Sequence, residues 1–151
     1  MRIFKPKWPE TRMGQAERLL GLLALPRPTA PRNLMDDDLA YLRRAAQEAA
    51  GLLIQHDFRR LTERFGYALA FDRPRALALE EDFRRAAAAA WPFEGAEPEI
   101  HIKTFAVNDT GLRAVAECMV PVQEHGAVLM ELVLTGAGAS RAVTVEHVTG
   151  R

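Results

Sequence analysis

The last third of the chain leaves its fold little choice. "EIHIKTFAV", "LRAVAECMVPVQ", "AVLMELVLT" and "RAVTVEHV" are β-rich runs separated by "NDTG", "EHG" and "GAGAS". Successive side chains of a strand point to opposite faces, and short Gly-bearing connections join strands as antiparallel neighbours. Four consecutive strands in an antiparallel meander are therefore expected, with Pro121 suited to an edge or a bulge because it has no N–H to donate. Parity sorts the side chains into two faces. One carries Ile100, Ile102, Thr104, Ala114, Ala116, Cys118, Val120, Val128, Met130, Leu132, Leu134, Val143, Val145 and His147. It is almost wholly apolar and is assigned to the core. The other carries His101, Lys103, Arg113, Glu117, Leu129, Glu131, Thr144 and Glu146, which suits a solvated or partner-facing surface.

A sheet with one apolar face needs a layer to cover it, and the sequence upstream supplies helices. "DDDLAYLRRAAQEAAGLLIQ" places Leu39, Leu42, Ala46, Ala49 and Leu53 on one stripe. Its three aspartates suit an N-terminus, where they cap and oppose the helix dipole. After His56-Asp57 the period resumes with Phe58, Leu61 and Phe65, and Gly66 gives a C-terminal stop. "YALAF" (67–71) is expected to form a short strand. A further helix starts at Pro74, with Phe83 and Ala87 facing inward, and Trp91 plugs the junction with the sheet. Ahead of all this, "LPRPTAPR" (25–32) packs three prolines into six residues and reads as a stiff connector. It divides residues 1–35, an arm with Trp8 and a helix bearing Leu19, Leu22 and Leu23, from an α+β domain over residues 36–151.

Composition narrows the function classes. Length and a 48% hydrophobic content suit one folded core. Twenty basic and twenty acidic side chains cancel, which speaks against a dedicated nucleic-acid binder. Up to Gly95 there are 16 basic and 13 acidic residues, and beyond it 4 and 7, so the strand region is mildly acidic. The single cysteine, Cys118, excludes an internal disulfide and points to a reducing compartment. No stretch reaches membrane-spanning length, and "LLGLLALP" is too short for a secretory core and is preceded by Glu17 and Arg18. A cytoplasmic protein is expected, and the Ala/Arg-rich usage suggests a bacterial one.

The order of elements, clearest in "AAGLLIQHDFRRLTERFGYALAF" and the meander after it, resembles the nuclear transport factor 2 superfamily. That superfamily includes ketosteroid isomerases, polyketide-cyclase-like enzymes and non-enzymatic proteins. The resemblance covers residues 36–148. It implies a cone-shaped curved antiparallel sheet with helices packed on one face. The proline-linked N-terminal helix departs from the family's minimal plan and is expected to cover the open end of the cone. Any enzyme site would lie inside the cone.

Chemistry inside such a cone needs a carboxylate base and hydrogen-bond donors converging on a substrate. No Asp or Glu takes an inward strand position by parity. Asp57 reads as the N-cap of the helix that follows it and His56 as the adjoining turn residue, because adjacent helical residues do not face one another. A His–Asp catalytic pair is the competing reading. Cys118 in an apolar strand reads as an inert thiol. His56, His101, His125 and His147 lack paired metal-ligand spacing, so no metal or cofactor is expected. "GAGAS" lacks the helix that a phosphate loop requires.

The expected function is a non-catalytic binding protein. Immunity proteins of this superfamily, which neutralise a cognate toxin, are similar in size and in lacking catalytic carboxylates. Occlusion by His101, Lys103, Arg113, Glu117, Glu131 and Glu146 is the expected mechanism, with a protein partner and neither nucleic acid nor membrane. A homodimer on the same face is the third possibility. The alternative is a small isomerase, cyclase or hydrolase, or a small-ligand carrier, with Tyr41, Asp57, Tyr67, Trp91 and His147 lining an internal pocket.

Overall fold

The computed structural model describes residues 30–151, with side chains from Met35 onward. The N-terminal arm with Trp8, its helix and residues 25–29 of the connector lie outside the described residues. The described chain is α+β. Helices α1 (Ala30–Ile54), α2 (Phe58–Phe65) and α3 (Arg75–Ala88) precede strands β1 (Trp91–Pro92), β2 (Glu99–Thr104), β3 (Leu112–Gln123), β4 (Gly126–Thr135) and β5 (Ala142–Thr149).

Helix α1 begins earlier than the aspartate run suggests. Pro31 falls in its first turn, where a missing N–H leaves no bond unmade. Asp36, Asp37 and Asp38 therefore lie inside the helix and cap nothing. One face of α1 buries Leu42, Ala45, Ala46, Ala49, Ala50 and Leu53, and Asp38 with them. Asp57 caps α2 by accepting from the Arg60 N–H at 3.2 Å, while His56 turns the chain at φ 58°. The His56 ring packs on Phe58 and Phe83, with centroids 5.8 and 5.1 Å away. Gly66 closes the helix at φ 73°, its N–H bonding Thr62 O at 2.7 Å.

"YALAF" is not a strand. Residues Ala68–Ala70 form a 3₁₀ turn, and Tyr67 alone makes a parallel bridge, to Val145. One longer-range contact and local ones accompany the turn: the Tyr67 hydroxyl reaches Asp82, and the nearby Arg73 guanidinium binds the Leu69 and Ala70 carbonyls. Phe71, just beyond, is held at φ 53° and is 80% exposed.

The sheet is antiparallel and does not close on itself. β2, β3, β4 and β5 pair in sequence order, and β1, unforeseen, pairs with the start of β4. Trp91 lies in β1, opposite Ala127, and is 37% exposed, so it does not plug the helix–sheet junction. Pro121 lies beyond the reach of β2, whose ladder ends at Glu99↔Met119, and a register shift follows it before Gln123. Its lost donor thus breaks no ladder bond on that side.

Ala114, Ala116, Cys118, Val120, Val128, Met130, Leu132, Leu134, Val143 and Val145 pack into one core with α1, α2 and α3. Parity fails for His147. Leu132 pairs with Val145 and Glu131 with His147, so Glu146 is an extra residue without a partner in β4. Such a bulge inverts the alternation beyond it. His147 moves to the outer face, and Val148 takes the buried position.

Candidate functional site

The space between helices and sheet holds hydrocarbon. Leu42, Leu53, Leu61, Leu79, Val120, Val128, Met130, Leu132, Leu134 and Val145 are all 0% exposed, out of contact with water. Cys118, also fully buried, has its thiol pushed up to about 12 by burial and then by the Glu117 charge, and it stays a protonated, unreactive group.

The five side chains expected to line an internal pocket have separate neighbours. Asp57 caps α2, and Trp91 sits in β1. Tyr41 lies under the Arg141 guanidinium, 4.1 Å from its ring centroid. His147 lies on the outer face, its Nε2 3.7 Å from Glu131. Tyr67 points to Asp82, with its hydroxyl donating to Oδ2 at 2.6 Å. A surface cleft of about 180 Å³ is lined by Tyr41, Arg44, Ala45, Glu48 and Arg64.

Two buried carboxylates hold the helices to their surroundings. Asp82 accepts from Tyr67 and from the Arg73 and Arg85 guanidiniums at 3.3 and 3.0 Å. Burial opposes its charge, but the Tyr67 hydroxyl and the two guanidiniums outweigh it and hold the carboxyl below the ordinary aspartate range. Burial first, and then the bond and charge of Asp82, raise the Tyr67 phenol well above its usual value. Asp38, 2% exposed, pairs with Arg141 at 3.1 Å and Arg113 at 3.6 Å. The sequence reading missed both networks. The available signal was an acid on an apolar helical stripe: Asp82 stands four residues from both Ala78 and Ala86, and Asp38 four before Leu42.

The outer face is the other organised polar surface. Directly paired residues share a face, so the ladder registers define three rows across β2, β3, β4 and β5. The middle row is His101, Glu117, Glu131 and His147. On one side run Lys103, Val115, Val133 and Thr144, and on the other Glu99, Met119, Leu129 and Thr149. Lys103 Nζ reaches diagonally to Glu117 at 3.0 Å, and His101 Nε2 lies 2.9 Å from Glu99. Of the six expected contact residues, His101, Lys103, Glu117 and Glu131 are brought together here. Arg113 is not: a register shift between Leu112 and Ala114 leaves it without a partner in β4, and its guanidinium turns to Asp38 on the helical side. Glu146 sits in the β5 bulge. His147 joins the row instead, which the sequence could not show without the bulge. Among the described residues, no group of three or more His, Cys, Asp or Glu side chains is placed to hold a metal ion, and no helix is long and apolar enough to cross a membrane.

Compared with protein-family models, curated proteins and solved structures, the chain matches none.

Proposed function

We propose that this domain is a non-catalytic protein-binding module of nuclear transport factor 2-like architecture, working through the outer face of its sheet. The observation that carries the reading is the hydrocarbon filling between sheet and helices: the inner face offers no water-reachable surface at Met130, Leu132 or Val145. A filled interior leaves a small substrate nowhere to be enclosed. The cone is supported by element order and by the register shifts in β3 and β5, since bulges bend strands. The outer face has the mixture of partly exposed apolar side chains and charges found in protein interfaces.

The particular form of this proposal is an immunity protein that blocks a bacterial toxin by covering its active surface. Co-expression with the toxic product of an adjacent gene tests it. Rescue of growth, lost in Glu131→Lys and retained in Leu132→Val, is the expected result. Unchanged toxicity removes the immunity role.

A further inference from the structure

The outer face contains an arrangement that costs energy in the isolated domain. Glu117 and Glu131 are direct cross-strand partners in the middle of the sheet, and like charges in that position repel. Lys103 Nζ pairs with Glu117, while Glu131 has His147 Nε2 at 3.7 Å. Above and below the carboxylates, the pairs Val115–Val133 and Met119–Leu129 are partly exposed. All the described helices whose side chains enter the core pack on the opposite face.

We infer, building on the reading of this face as a protein-binding surface, that its partner is a basic protein surface. An arginine or lysine head group would sit between Glu117 and Glu131, with its aliphatic stem on the flanking apolar pairs. A guanidinium bridges two carboxylates with charge-assisted hydrogen bonds, and its methylenes favour apolar ground. The same pair argues against a second copy of this chain. In a two-fold contact a patch meets itself, so the central carboxylates of both copies would be brought together with only Lys103 and the histidines to offset them. The charged and titratable groups on this face are Glu99, His101 and Lys103 from β2, Glu117 from β3, Glu131 from β4 and His147 from β5, with Glu146 in the adjoining bulge. Ionised carboxylates outnumber the one lysine, which gives the face a negative balance at neutral pH.

Titrating the full chain with end-blocked hexa-arginine, at neutral pH and 150 mM salt on the order of the physiological value, tests this by calorimetry and by NMR shifts. Shifts concentrated on Val115, Glu117, Met119, Leu129, Glu131 and Val133 are expected. Glu131→Gln should weaken binding about tenfold, whereas Glu124→Gln, at an 88% exposed hairpin side chain, should change it less than about twofold. Equal losses in the two variants, or shifts spread over the whole surface, would mean diffuse attraction and overturn the inference. A parallel titration with hexa-glutamate separates the two levels of the argument. If only that peptide moves the outer face, the basic partner is wrong and the binding face stands. If neither does, the inference fails. A response at Met130 and Leu132 instead would remove the binding-face reading as well. Concentration-dependent shifts on the same six residues without peptide would replace the basic partner with a second copy.

Discussion

The two faces of one sheet are made from the same strands and differ in almost every physical respect. On the inner face β3 and β4 present Ala116, Cys118, Val120, Met130, Leu132 and Leu134, all without solvent exposure. One residue along each strand, the outer face presents Glu117 opposite Glu131, Lys103 beside them and His101 and His147 at the ends. The inner face is fully buried core, whereas the outer face is partly exposed and carries opposed charges. The partner proposed for the outer face would account for those charges.

The largest effect that can break this contrast comes from the inner face. Leu132→Ala deletes a fully buried side chain, and denaturant unfolding should show a loss of about 2–5 kcal/mol. A loss below about 1 kcal/mol would mean that the core is loosely filled. Next comes Asp82→Ala, which leaves the buried Tyr67 hydroxyl without its acceptor and removes one carboxylate partner each from the Arg73 and Arg85 guanidiniums. The expected cost is about 1–3 kcal/mol.

A pH series sharpens the same point. The folded domain holds the Asp82 carboxyl below its ordinary value of 3.8, so its stabilising contribution is present above that pH and is lost as pH falls below it. Asp82→Ala should therefore flatten the acid limb of stability against pH in thermal melts. The smallest effect belongs to the outer face. Glu117→Gln removes one of two opposed carboxylates and one exposed ion pair, which work in opposite directions. Unfolding should move by no more than about 0.5 kcal/mol, and a loss above about 1 kcal/mol would give this face a structural role.

Much of the inner face was legible because a period of two survives along β3 and through β4 as far as burial demands it. It became illegible at Glu146, since one inserted residue in β5 leaves no local mark in "VTVEHVT" yet reverses His147. The outer row was consequently read one residue short, and Arg113 was read onto the wrong side for a similar reason. Local patterns also missed what distant partners decide. Asp38 and Arg141 are 103 positions apart, and nothing near either residue announces their ion pair. "YALAF" carries strand-like alternation, but Tyr67 and Arg73 tie it into a turn. Helix α1 shows the converse: Pro31 looks like a barrier in the sequence and serves as a first-turn residue in the fold.

The central claim is that nothing small can occupy the space beneath the sheet. Methyl NMR of the full chain under xenon pressure tests it directly, because xenon enters dry apolar cavities that water leaves empty. The account predicts no saturable shift at the methyl groups of Leu42, Leu79, Met130, Leu132 and Val145. Saturable shifts confined to those methyls would reveal an internal cavity and return the interior to consideration as a ligand site.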